Sequence, residues 1–303
     1  MKTTTKETKI GEYIITGYSR ALMSSWMGFP QFGVLFDCGD GVSSRLGGSI
    51  GSYKYVAVTH SHMDHITGLS QLINLRSRLN PDLKTTVIYP PQVATRVETQ
   101  LSMLGQRGRD SVITSVIDPL KPHDIDIGGN RVLSWFPTNH SGTGSCGSVG
   151  YVIKSKKNIR KPEYALLHKE EILKLVEAGT EVSESVMVPI VAYVGDSPAI
   201  SDDVARVIAG VELLIMEATI INPEDFESDE KLVHSSVSET LLAAARVQPK
   251  HLVINHLSPR YHDSYATSQI EKRVGFLLTT APKMNFSVHR LAGDDMYTVL
   301  NEH

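Results

Sequence analysis

The sequence predicts an α/β protein built as a four-layer αββα sandwich, and three observations predict it. Short apolar runs of strand length fill the first half of the chain. Strands and amphipathic helices alternate in the second half. Residues of metal-ligating type stand just beyond several of the apolar runs, where a sheet edge can present them to a cleft. Two sheets packed face to face, with helices outside both, satisfy all three. The 303 residues suffice for one large domain or two small ones. A single domain over 1–303 is expected, with a shortened insertion around 154–188.

The elements follow in order. Strands are expected at 12–16, 32–37, 55–59, 86–89, 111–117, 131–136 and 149–154, each an apolar run rich in β-branched or aromatic residues. A helix is expected through 68–77, with Leu69, Leu72, Ile73 and Leu75 on its apolar side. Others are expected at 92–104 and at 168–178, the latter stopped by Gly179. The second half reads as strand 189–194, helix 200–209, strand 211–216, helix 236–246, strand 251–255 and helix 267–279. Strands near 285–290 and 295–300 close the chain. Ser236 and Glu239 have the spacing of a capping box.

Three segments need separate comment. The basic run Lys154, Lys156, Lys157, Arg160 and Lys161 reads as a solvated turn in preference to a phosphate-contacting surface. The stretch 22–30 is apolar for a loop and fits a lid over a base, a dimer contact or ordinary core. Residues 142–147 match Gly-x-Gly-x-x-Gly, but a dinucleotide site needs a helix next, and 149–153 reads as a strand. That run is taken as a flexible loop beside His140.

Composition bounds the function. Apolar content of 41% and charged content of 21% are those of a soluble globular protein. A net charge of -3 argues against coating a long nucleic acid and for a small ligand or a local basic patch. Cys38 and Cys146 are far apart and give no disulfide framework, which fits a reducing cytoplasm. The first ten residues carry no apolar signal core. No apolar run approaches the roughly 20 residues that span a bilayer. A cytoplasmic protein without membrane contact is expected.

The chemistry centres on His60-Ser61-His62-Met63-Asp64-His65, three imidazoles and a carboxylate within six residues after the run 55–58. Catalytic zinc sites combine such ligands and keep a position open. The spacing can serve two ions, His60 and His62 on one, Asp64 and His65 turned towards a second. Further ligands stand past later strands: His140 after 131–136, Asp196 after 190–195 and His256 after 251–255. Asp196 is the natural bridge, since one carboxylate can bind two cations. Two zinc ions (manganese is the alternative) roughly 3.5–4 Å apart can activate water and clamp a phosphodiester. Asp37 reads equally as a support for a ligand imidazole and as a turn carboxylate, and Asp40 as a turn residue. Glu217 ends the apolar run 213–216, an odd place for an unpaired charge, and can orient His234 as the acid that protonates the leaving group. His123, His168, His262, His289 and His303 have no place in the pattern and are expected at the surface.

Together these residues resemble the metallo-β-lactamase superfamily and, within it, the ribonuclease Z branch. The superfamily resemblance rests on Asp37, His60, His62, Asp64, His65, His140, Asp196 and His256. The branch is indicated by Met216-Glu217-Ala218-Thr219, by Val233-His234-Ser235 and by Asn255-His256-Leu257-Ser258-Pro259-Arg260-Tyr261. The resemblance implies the metallo-β-lactamase fold. It implies that His60, His62 and His140 hold one zinc, that Asp64, His65 and His256 hold the other, and that Asp196 bridges. It further implies that Asp64, Glu217 and His234 act in catalysis, that Ser258 and Arg260 contact phosphate, and that the protein is a homodimer.

The chain departs from the branch in two places. The usual Gly-Thr-Gly loop is replaced by Thr16-Gly17-Tyr18-Ser19-Arg20, and the interval between Tyr151 and Asp196 is short and lacks Gly-Pro elements. Short plant enzymes of the branch share this compact layout, and so do the phage anti-Pycsar phosphodiesterases, which hydrolyse cyclic nucleotides and so evade anti-phage defence. The resulting expectation is a dizinc phosphodiesterase that degrades a 3′,5′-cyclic signalling nucleotide. Its alternative is a tRNA 3′-end processing endonuclease acting on precursor tRNA. A binding module without catalysis and a lactone or thioester hydrolase fit the acid pair and Arg260 less well.

Overall fold

The computed structural model describes residues 6–140, 147–280 and 285–301. The first sheet has strands β1 (Thr8–Ile10), β2 (Tyr13–Arg20), β3 (Ser24–Phe29), β4 (Val34–Phe36), β5 (Tyr55–Ala57), β6 (Thr85–Tyr89) and β7 (Val112–Val116), adjacent in chain order. Helices α1 (Val42–Leu46), α2 (Met63–Ile66), α3 (Leu69–Leu79), α4 (Ala94–Ser102) and α5 (Gln106–Asp110) lie between them in the chain. The second sheet contains β8 (Ile125–Gly128), β9 (Arg131–Thr138), β10 (Ser148–Arg160), β11 (Ser183–Tyr193), β12 (Leu213–Glu217), β13 (His251–Asn255), β14 (Ser287–Ala292) and β15 (Asp295–Leu300), again in chain order. Its connections carry α6 (Lys169–Glu177), α7 (Asp202–Val207), α8 (Ser228–Val233), α9 (Val237–Val247) and α10 (Asp263–Thr280).

Three apolar clusters separate four layers, as the sequence predicts. Phe36, Trp135, Tyr151, Tyr193, Ile215 and Val253 belong to the cluster between the sheets. Leu214, Met216, Leu241, Ala244, Ile270 and Val274 join the second sheet to its helices, and Leu35, Val56, Leu69, Leu72 and Val97 do so for the first. Strand β12 shows the logic. Alternate residues face opposite sides, so Leu213 and Ile215 enter the inter-sheet cluster while Leu214 and Met216 face the helices. A strand covered on both faces reads as a continuous apolar run. Burying each such side chain stabilises by about 1.5–3 kcal/mol, and a charge at Ile215 would break the layer. Strands β11, β12, β13 and β14 are parallel, so the carboxyl ends of β11, β12 and β13 share one edge. Strands β4 and β5 are also parallel.

The structure alters several local expectations. The stretch 22–30 is core: β3 is buried along its whole length and pairs with β2 and β4. Trp26 packs under the helices and Met27 between the sheets. Its serines and Gly28 hid the strand pattern. Only the preceding turn is exposed, with Leu22 in the left-handed region at φ 66°. The basic run is not a turn. Strands β10 and β11 continue past a bulge at Ile153/Lys154 and stay paired to Arg160 and Ser183, so the interval 154–188 is a long strand pair carrying α6. His289 is buried, contrary to expectation, with its ring bonded to Ser287 and Thr298. His123 packs edge-on against Trp135, and His168 caps α6. The short α1 and β8 had no legible signal. The expected loop at 142–147 lies outside the described residues apart from Gly147, as does His303.

Candidate metal centre and catalytic cleft

The centre forms where the carboxyl end of β5 meets those of β11, β12 and β13. After β5 the chain runs through Thr59 to His60, and the single turn α2 places Asp64 and His65 side by side. Asp37, just past β4, anchors this segment in the left-handed region at φ 55°. Its carboxylate accepts from the Thr59 amide at 2.8 Å, the Thr59 hydroxyl at 3.0 Å, the Tyr193 hydroxyl at 3.0 Å and His65 Nδ1 at 2.8 Å. Gly195 lets β11 come close: at φ 70°, a Cβ there would lie 2.9 Å from Thr59 Cγ2. Asp196 follows it into the cleft.

Four imidazoles are oriented from behind through Nδ1. His65 Nδ1 donates to Asp37, His140 Nδ1 to the Val233 carbonyl at 2.8 Å, His60 Nδ1 to Thr59 Oγ1 at 2.9 Å and His256 Nδ1 to Thr219 Oγ1 at 3.0 Å. Each bond sets the tautomer and leaves Nε2 for the cleft. His256 also adopts the left-handed region, at φ 55°, with its amide bonded to Ser19 Oγ. Non-glycine residues there carry strain that recurs at functional sites.

The free nitrogens and the carboxylates converge in two groups, His60, His62, His140 and Asp196 in one, and Asp64, His65 and His256 in the other. Within each, the ligand atoms lie within 4.8 Å of one another. Asp196 Oδ2 stands between them, 3.7 Å from His60 Nε2 and 3.9 Å from His140 Nε2 on one side, and 3.3 Å from both His65 Nε2 and His256 Nε2 on the other. Asp64 Oδ2 is 3.3 Å from His256 Nε2.

These residues fit divalent ions. A tetrahedral ion with bonds of 2.0–2.1 Å spaces its ligand atoms about 3.3 Å apart. His62 Nδ1 and His140 Nε2 are 3.1 Å apart, and His65 Nε2 and His256 Nε2 are 3.3 Å apart. His60 Nε2 is buried and has no hydrogen-bond partner among the described residues. A buried orphan nitrogen is costly unless something else binds it. The electrostatics agree. Burial, reinforced by the neighbouring His65, holds His60 well below the usual imidazole range. Burial also opposes a charged His65, but Asp196 and Asp37 outweigh it and push that ring well above its ordinary value. Burial likewise opposes ionised Asp196, yet His256 and His65 keep it well below the carboxylate range. A divalent cation among these groups would answer the same negative charge of Asp196 and Asp37 that favours a charged His65.

Glu217, the last residue of β12, is buried and heavily bonded. It accepts from the Ser197 amide at 2.7 Å, the Thr219 hydroxyl, and His234 Nδ1 at 2.9 Å. Burial works against a charged His234, but Glu217 outweighs it and the ring is pushed up to about 9. The His234 ring lies 4.8 Å from the His140 ring between centroids. His234, Asp64, Asp196 and His256 line a cleft of about 260 Å³ together with Phe226, Glu230 and Arg260, and His140 borders a neighbouring hollow with His60 and His234. Ser258 lines the same cleft, and its Oγ accepts the Arg260 amide. The Arg260 guanidinium, however, points to Glu230 and to the Asp225 carbonyl. Asp40 is a turn residue whose carbonyl accepts Ser24 Oγ.

Sequence reasoning gave no role to Thr59, Thr219 or Tyr193, although Thr219 stands in the motif 216–219. The first two adjoin strand ends beside charged groups, a weak signal that could have been used. Tyr193 was indistinguishable from an ordinary core aromatic.

No protein-family model matches the chain. The chain is 26% identical over 261 residues to the chloroplastic tRNase Z TRZ2 of Arabidopsis thaliana, covering 85% of this chain and 71% of that one. It is 29% identical over 266 residues to the ribonuclease Z of Pyrobaculum arsenaticum, covering 83% and 84%. Among solved structures it is similar to the metallo-beta-lactamase fold protein YhfI of Bacillus subtilis, with a TM-score of 0.61, 14% identity and coverage of 93% and 98%. The short form of human tRNase Z superposes with a TM-score of 0.56, 18% identity and coverage of 82% and 93%. The chain has the metallo-β-lactamase fold and is similar in sequence to ribonuclease Z proteins. Among the described residues, no helix is long and apolar enough to cross a membrane.

Proposed function

We propose that this ribonuclease Z-like chain is a metal-dependent phosphodiesterase acting on nucleotide substrates. The observation that carries the reading is the place of Asp196 Oδ2, shared between two ligand groups beside the Glu217–His234 pair. His60, His62 and His140 would hold one ion, Asp64, His65 and His256 the other, and Asp196 both. When bound, two divalent ions supply Lewis acidity and activation of water. The chain supplies the rest. Asp37, Thr59, Thr219 and the Val233 carbonyl fix the ligand rings, so little reorganisation is needed during reaction. Glu217 binds Nδ1 of His234, which leaves the proton on Nε2 for the departing oxygen. Ser258 lines the cleft, where its hydroxyl would donate to a phosphate oxygen.

The substrate we propose is the 3′ end of precursor tRNA. The relatives named tRNase Z and ribonuclease Z support it, at 26% and 29% identity over most of the chain. The long β10–β11 pair supports it too, since β10 carries Lys156 and Arg160 on one face of a well-exposed stretch. Cations on one face of a strand can contact successive phosphates of a nucleic-acid backbone. The second reading is a 3′,5′-cyclic nucleotide. The shape of the cleft favours it, since the Leu22 turn lines it and donates its amide to Asp64 Oδ2 at 3.1 Å. Hydrolysis of bis(p-nitrophenyl) phosphate by zinc-loaded protein, abolished by Asp64→Ala/His65→Ala, tests the shared chemistry. Equal turnover by the double variant would refute it.

A further inference from the structure

Arg260 stands in the cleft wall beyond β13 with 48% of its side chain exposed. Its guanidinium carbon lies 4.4 Å over the ring centroid of Phe226, which is itself buried. The guanidinium edge is already engaged. One terminal nitrogen donates to the Asp225 carbonyl at 2.8 Å, and the other to Glu230 Oε1 at 3.2 Å. Glu230 is fixed in turn, because Oε2 accepts the Glu227 amide at 3.0 Å and caps α8. A phosphate that took Arg260 by its two terminal nitrogens would have to displace this carboxylate and sit against its negative charge. The guanidinium is therefore held over Phe226 by its edge, while about half of the side chain stays open to solvent.

We infer that Arg260 is a stacking shelf for the nucleobase of the substrate and not a clamp on its phosphate. The inference rests on the nucleotide reading above and departs from the role that the resemblance implies for this residue. A guanidinium plane stacks on a base as an aromatic ring does, and the contact tolerates every base because each has a π-face. The stack is backed by protein: Phe226 lies beneath, with Tyr261 at 6.2 Å and Tyr265 stacked at 6.0 Å beyond that. The ligand cluster and the shelf line one cleft, so a phosphodiester at the former places its neighbouring base within reach of the latter.

The test is a binding measurement on the zinc-loaded full chain. 2-Aminopurine riboside 5′-monophosphate reports stacking through fluorescence quenching, and ribose 5-phosphate, measured calorimetrically, carries the same phosphate without a base. Arg260→Lys keeps the charge and removes the plane, and the position is exposed enough to accept the change. The shelf predicts that Arg260→Lys weakens the aminopurine nucleotide at least tenfold and relieves its quenching, while ribose 5-phosphate stays within twofold. Equal weakening of both ligands would make Arg260 a phosphate clamp and overturn the inference, as would no change in either. Bis(p-nitrophenyl) phosphate hydrolysis by the same wild-type preparation separates the two claims. Hydrolysis without quenching sinks the shelf alone, whereas quenching without hydrolysis sinks the phosphodiesterase reading and leaves the shelf as a nucleotide-binding surface.

Discussion

The Tyr193 hydroxyl donates to Asp37 Oδ2 at 3.0 Å, the same oxygen that receives His65 Nδ1 at 2.8 Å. One bond thus ties β11 of the second sheet to a loop of the first, directly behind a candidate ligand. Burial, with Asp37 and Asp196 nearby, raises the Tyr193 phenol well above its ordinary range, so it remains a donor. Tyr193→Phe keeps the parallel stack on Phe36 at 5.1 Å and removes only the hydroxyl. The expected outcome is a 10–100-fold loss of zinc affinity and about 1 kcal/mol of stability. Chelator competition and urea unfolding measure the two.

Asp196→Asn removes the negative charge from the point where four imidazoles meet. The variant is expected to retain at most one zinc per chain. Elemental analysis after dialysis checks this, and two retained ions would show that Asp196 does not bridge.

His234→Ala is expected to keep both ions while turnover falls by roughly 10²–10⁴. The pH profile supplies the sign. His234 must be protonated to act, so activity is lost as pH rises through its pKa, which Glu217 pushes up to about 9. Glu217→Gln removes the group that raises it, and the alkaline limb is expected to move to lower pH by ~1–3 units. An unmoved limb would assign the proton to another group.

Burial, aided by His251, lowers His289 to about 4. The unfolded chain therefore binds a proton near pH 6.5 that the folded chain refuses until about 4. This contribution is complete above pH 6.5 and lost as pH falls towards 4, at most about 3 kcal/mol by linkage. His289→Gln is expected to flatten the fall in unfolding free energy between pH 7 and 4.5, measured against wild type.

Layer order and the candidate ligands were legible because each signal was local. Strands β11, β12 and β13 are apolar runs that lead into Asp196, Glu217 and His256, so these candidates could be picked from spacing. What stayed hidden depends on the third dimension. Strand β3 is masked by Ser24, Ser25 and Gly28, which are buried only because β2 and β4 flank it. The extension of β10 looked like a solvated turn because its cations are solvated, yet its backbone pairs with β11. Arg260 matched a motif, but its orientation is set by Glu230 and Phe226, 30 and 34 positions away in the chain, and no local pattern reveals that.

The most direct test of the central claim is a paired assay of the zinc-loaded protein on precursor tRNA with a 3′ trailer and on 3′,5′-cyclic mononucleotides, each with an Asp64→Ala/His65→Ala control. The account predicts cleavage of the precursor at the base of the trailer, lost in the control. Rapid opening of the cyclic nucleotides with uncut precursor would overturn the proposed substrate in favour of the second reading, and no metal-dependent hydrolysis of either would contradict the phosphodiesterase account itself.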